Sequence, residues 1–85
     1  MSKDAAQLKE LFLTLITPLV NQPDEIRINP VEQGNTIVLE LQVAPSDIGK
    51  VIGKRGVRAQ SIRQVMKAYA GQMRRRVVVD ILDQD

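Results

Sequence analysis

The stretch Asp47-Ile48-Gly49-Lys50-Val51-Ile52-Gly53-Lys54-Arg55-Gly56-Val57-Arg58 decides how this chain is read. A short helical run, Ser46 to Ile52, enters two glycines that bracket two cations, and an amphipathic run, Val57 to Ala70, leaves on the far side. Glycine at both ends of the turn removes side-chain bulk, so another molecule can approach the backbone closely. The cations imply that this molecule is negative. The unpaired N–H groups at the start of the second helix, with the positive end of its dipole, point at the same place. Together these features describe a seat for a nucleic-acid sugar-phosphate backbone.

Charge outward from this stretch is strongly segregated. Residues 45–76 carry nine Lys and Arg against Asp47 alone, net +8. Residues 1–44 carry three cations against six carboxylates, net −3, and Asp80, Asp83 and Asp85 make the end acidic, so the overall +2 conceals a basic face. Such a face suits a polyanion. A solvated helix surface is the plainer alternative, and the glycine turn inside the basic stretch argues against it.

The rest of the chain supplies a scaffold. Leu8, Leu11, Phe12, Leu15, Ile16 and Leu19 form one helical stripe. Asp4 with Gln7 is the expected capping box, and Pro18 is expected to kink or end the helix near Thr17. Ile26 and Ile28, then Ile37, Leu39, Leu41 and Val43, alternate with polar positions, as in strands covered on one side. Gln33-Gly34-Asn35 is a turn signal that makes the pair a hairpin. In the long helix Ala59, Ile62, Val65, Met66, Tyr69 and Met73 gather inward, Gln60, Arg63, Gln64 and Lys67 outward, and Gly71 is expected to terminate it. Residues 76–82 read as a last strand with Val77, Val79 and Ile81 facing the core and Asp80 facing away, followed by a frayed tail, 83–85. The expectation is one α+β domain spanning residues 1–85, in the order helix, strand, strand, helix, helix, strand, with three helices on one face of a three-stranded sheet.

Most enzyme classes lack their residues. The chain of 85 residues has no histidine and no cysteine, so imidazole acid–base chemistry, thiol catalysis, disulfides and thiolate metal sites are excluded, and no catalytic residue, cofactor or metal is expected. Ser46 and Ser61 have no base to activate them and are assigned to a helix cap and a helix surface. No stretch approaches the roughly 20 apolar residues of a membrane span, and the first residues are not a signal peptide; the expected location is cytoplasmic. Gly49 to Arg55 misses the P-loop by one residue and has Arg55 where a magnesium-binding Ser or Thr belongs. The spacing Gly-x-x-x-Gly-x-x-Gly also misses the dinucleotide fingerprint.

What remains is Gly-x-x-Gly between two helices, followed by a strand, the arrangement with which KH domains clamp about four nucleotides. Gly53 and Gly56 admit the phosphate backbone, Lys54 and Arg55 supply charge, and Ile52 and Val57, with Ile48 or Val43 nearby, are the candidate groove floor. Lys50 and Arg58 are candidate additional phosphate contacts. Tyr69 and Phe12 are the only aromatics and both lie on core stripes, so there is no exposed stacking platform of the kind RRM and OB modules use. The run Asp47 to Gly56 strongly resembles a KH motif, and the element order is that of the type II KH fold. The phrase Gly53 to Arg63, with Thr17-Pro18-Leu19-Val20 ending the first helix, resembles the small bacterial stand-alone KH proteins of the KhpA family. The resemblance implies an RNA-binding protein of broad specificity, an RNA chaperone or post-transcriptional regulator. It also implies a homodimer, or a heterodimer with a larger KH protein of the Jag/KhpB kind. One departure is Ala59, where many KH domains place isoleucine. Two other readings compete. A pure interaction or dimerisation module would use the apolar residues around the loop. A helix–turn–helix DNA binder would use Arg58, Arg63 and Lys67, but it explains neither the second glycine nor the strands.

Overall fold

The computed structural model describes residues 1–82. Its helices are α1 (Lys3–Ile16), α2 (Ile48–Ile52) and α3 (Val57–Gln72), and its strands are β1 (Arg27–Gln33), β2 (Thr36–Gln42) and β3 (Arg76–Ile81). The order α-β-β-α-α-β is the one read from the sequence. β2 is central, antiparallel to β1 and parallel to β3, so β3 and β1 are edges. Parallel pairing follows from the connection: a strand, two helices and a return to the same sheet form a crossover that a hairpin cannot make.

The register places Ile28, Leu41 and Ile81 side by side, then Pro30, Leu39 and Val79, on the face that the helices cover. Ile37, Leu39 and Leu41 are fully buried, as are Leu8, Ile16, Val51 and Met66. Pro30 is tolerated because β1 is an edge strand. Gly34, with φ +59°, begins the two-residue hairpin turn, where a positive φ favours glycine.

The first helix departs from expectation at its start. Ser2 is the N-cap, its Oγ accepting from the Ala5 amide at 3.0 Å, and Asp4 lies in the first turn instead of forming a box with Gln7. Asp4 is directed to Arg75 at 3.1 Å. α1 ends at Ile16 and passes into a 3₁₀ turn, Thr17–Leu19, where Pro18 removes an amide donor.

Gly71 does not end α3. The helix runs on to Gln72 because Met73 still packs against the core. The stop is a Schellman arrangement: Arg74 takes φ +58°, its amide donates to Gly71 O at 3.0 Å, and the Arg75 amide donates to Ala70 O at 2.9 Å. Val65 is 47% exposed rather than part of the inward stripe. At 3.6 residues per turn it lies about 100° from the centre of the buried set Ala59, Ile62, Met66 and Ala70. The expectation for residues 83–85 lies outside the described residues.

Candidate nucleic-acid interface

The turn Gly53–Gly56 is built from left-handed backbone. Gly53 has φ +77° and ψ 172°, a region essentially confined to glycine. Arg55 has φ +58° and Gly56 φ +75°. The two glycines serve different ends. A Cβ on Gly53 would stand 2.6 Å from the Arg58 Cβ and 2.9 Å from the Arg58 amide nitrogen, so Gly53 allows the first turn of α3 to close onto the loop. A Cβ on Gly56 would meet nothing within 4 Å, so that side of the loop is open to an approaching molecule.

The structure brings Gly53, Lys54, Arg55, Val57 and Arg58 together with Ser61 around one cleft. Lys54 and Arg55 are exposed and make no ion pair among the described residues. Val57 is 62% exposed at the first position of α3, and Ile52 is half-buried at the end of α2. Val43 does not reach this surface: it is 2% exposed and belongs to the core cluster, against which Ile48 also packs. Arg58 donates from its guanidinium to the Lys50 carbonyl, which closes the end of α2. Lys50 stands 3.4 Å from Asp47 Oδ1 and from the Ser46 carbonyl oxygen. Ser46 is not a helix cap; its hydroxyl accepts from Gln22 Nε2 at 3.3 Å. Ser61 is on the helix surface as read, its hydroxyl donating to the Val57 carbonyl.

Two features escaped the sequence reading. The first is a second cleft, lined by Arg63, Lys67, Val77, Val78 and Val79 beside the open edge of β3. It is continued by a cleft holding Thr36, Gly71 and Arg76. Arg63 reaches to 3.5 Å of the Val79 carbonyl oxygen. The i, i+4 spacing of Arg63 and Lys67 was visible, but nothing local said that an unpaired strand edge lay beside them. The second is Asp47, the only buried charged residue among those described. It accepts from the Asn21 amide at 3.1 Å and the Gln22 amide at 3.0 Å. The Asn21 hydrogen bond lowers its pKa below the ordinary 3.8, with Gln22 and Lys50 acting in the same direction and burial opposing them. Among the described residues no group of three or more acidic side chains is placed to hold a metal ion.

The family described as "KhpA/KhpB, KH domain" matches residues 9–81. This chain belongs to that family. Its KhpA relatives include the RNA-binding protein KhpA of Clostridium acetobutylicum, 48% identical over 88% of this chain and all of that protein. The RNA-binding protein KhpA of Caldanaerobacter subterraneus is 45% identical over 86% of this chain and 97% of its own length. That of Bacillus subtilis is 42% identical over 89% and 94%. The KhpA/KhpB match takes in the whole of β1–β3, α2 and α3, and with them both clefts. No helix among the described residues is long and apolar enough to cross a membrane.

Proposed function

We propose that this protein binds single-stranded RNA as a single KH unit, with the phosphate backbone on Gly53-Lys54-Arg55-Gly56. The strand runs from there along the cleft between α3 and the edge of β3. The observation that carries this reading is electrostatic. Lys54, Arg55 and Arg58 stand at the N-terminal, positive end of a 16-residue helix, where cations are unfavourable and anions are stabilised. None of the three has a carboxylate partner among the described residues, and Arg58 is held by the Lys50 carbonyl while Lys54 and Arg55 are exposed. An arrangement that is poor for the free protein becomes good when a phosphate arrives. Arg63, Lys67 and Arg76 extend the charge along the second cleft. The edge of β3, apart from the Val79 carbonyl that Arg63 reaches, offers backbone hydrogen-bonding positions to bases that need no exposed aromatic. Lys50 and Ile52 border the loop, Lys50 as a tethered cation and Ile52 as a partly buried wall.

Backbone recognition with few base-specific donors supports broad specificity, and so a role as RNA chaperone or post-transcriptional regulator in the cytoplasm. The test is a fluorescence anisotropy titration of the parent and of the Lys54→Asp, Arg55→Asp variant with a mixed-sequence single-stranded RNA, and with duplex DNA as comparison. Tight single-strand binding by the parent and its loss in the variant is the expected result. Preference for the duplex would favour the helix–turn–helix reading. A second property, pairing with another copy or with a larger protein of the KhpB kind, is favoured by Val57 and Val65, exposed on α3. Sedimentation of the RNA-free protein tests it.

A further inference from the structure

The loop that carries Lys54 and Arg55 hangs from a helix too short to stand alone. α2 has five residues, and isolated helices of that length do not persist in water. Val51 is its only fully buried side chain and Ile48 packs beside it against the core, so packing holds it on one side only. A second, polar anchor adds to this packing in defining where α2, and therefore Gly53, sits. Asp47 immediately precedes α2. Its two carboxylate oxygens accept from the consecutive Asn21 and Gln22 amides, on the connection between α1 and β1. Oδ1 also faces Lys50 Nζ at 3.4 Å. The Lys50 carbonyl in turn accepts from Arg58, in the first turn of α3. A continuous set of polar contacts therefore runs from the 21–22 connection through Asp47 and α2 to the far side of the glycine loop.

We propose that Asp47 is a positioning residue for RNA binding: it touches no RNA, and it holds α2 so that the Gly53–Gly56 loop keeps its open, left-handed form. This inference rests on the RNA reading of the loop. Only an ionised carboxylate meets all of its partners. An asparagine at this position has one acceptor oxygen, turns an N–H donor toward a backbone amide, and leaves Lys50 without a counter-charge. The rest of the fold has its own anchors, since β2 and α1 are buried independently of this contact.

The test is Asp47→Asn in the full chain, with Ile37→Val as a control that loosens the core away from α2. In RNA-free protein, amide hydrogen exchange over residues 48–56 is expected to quicken by at least about tenfold, while β2 keeps its protection. RNA affinity, measured well below the melting temperature of either variant, is expected to fall by about tenfold or more for Asp47→Asn, the scale that losing an outer-shell support has at metal sites. Ile37→Val is expected to leave affinity unchanged. Unchanged exchange over 48–56 overturns the proposal. So does faster exchange with parental affinity, or an equal loss of affinity in the control. If the parent itself does not bind RNA, the RNA reading falls, and the exchange measurement alone decides whether Asp47 anchors the loop. Should Asp47→Asn fail to fold, Asp47→Glu, which keeps the charge on a longer arm, carries the same readouts in the same directions.

Discussion

The turn before α3 contains Lys54 and Arg55; the turn after it contains Arg74 and Arg75, and Arg76 opens β3. Each holds one arginine in left-handed backbone, Arg55 and Arg74, both with φ +58°. As sequence they look alike, yet they do opposite things. At the C-terminal end of α3, Arg75 lies 3.1 Å from Asp4 and 3.0 Å from Glu32, and its Nε donates to the Asn35 carbonyl at 3.3 Å. One guanidinium ties α1, β1 and the hairpin turn to the start of β3, using the planar fork that suits arginine to two carboxylates. Hydrogen bonds from Ser2, then Arg75, hold the Glu32 carboxyl below its ordinary pKa. Cations there also suit the negative end of the helix dipole. At the N-terminal end the same charges meet the positive end of the dipole and no carboxylate partner among the described residues. The difference teaches that a cation satisfied by the fold reports on stability, whereas one left unsatisfied at an unfavourable place reports on a ligand.

The widest gap between the two turns is expected in RNA affinity. Lys54→Asp with Arg55→Asp removes two charge-assisted contacts and adds repulsion, so affinity falls by at least roughly 100-fold while the melting temperature stays near that of the parent. Anisotropy titration and thermal denaturation on the same samples check both halves. An equal loss from Arg75→Ala at low temperature would erase the distinction.

Within the loop, the two glycines separate fold from function. Gly53→Ala meets Arg58 backbone and side chain in a glycine-only conformation, and a destabilisation of about 2 kcal/mol or more is expected. Gly56→Ala meets open space, so only the strain of positive φ remains, about 1 kcal/mol, and its main effect is on RNA. Urea denaturation ranks them; a reversed order would mean that Gly56, not Gly53, holds the loop. At the other turn, Arg75→Ala is expected to lower the melting temperature by roughly 5 °C, with RNA affinity at 10 °C little changed.

Salt sharpens the comparison further. Each phosphate contact on a single strand contributes about −0.7 to the log–log slope of affinity against salt. Removing Lys54 and Arg55 together should flatten the slope by about 1.4, and removing Arg75 should leave it as it was. The smallest effect is that of pH. The folded-state pKa of Asp47 lies below 3.8 and that of Glu32 below 4.5. Their stabilisation is therefore complete above the unfolded values and is lost as pH falls through the folded ones. Melting temperature should be flat from pH 8 to 5 with respect to these groups and fall below about pH 4. Asp47→Asn should blunt that fall, and an unchanged acid profile would deny the carboxylate its role.

Much of the fold was legible because its signals are local. The stripe Leu8, Phe12 and Ile16, the alternation Ile37, Leu39 and Leu41, the turn at Gly34 and the Gly53–Gly56 pair each lie within a few residues, where periodicity and backbone stereochemistry act directly. The misreadings share a different cause. Asp4 has the position of a cap, but its partner is 71 residues away, and Gly71 has the position of a stop, but Met73 beyond it packs against the core. Val43, expected near the groove floor as an alternative to Ile48, is buried in the core at the end of the sheet.

By itself, then, the sequence determined the α-β-β-α-α-β order, the apolar faces and the placing of two cations between two glycines, because helix and strand periods and positive-φ turns are properties of neighbouring residues. Tertiary structure alone decided which of the nine cations in residues 45–76 are tied down, that Asp47 is buried against the Asn21 and Gln22 amides, and that Arg63 and Lys67 stand beside an open strand edge. Ion pairing, desolvation and strand pairing depend on residues that only folding brings within reach.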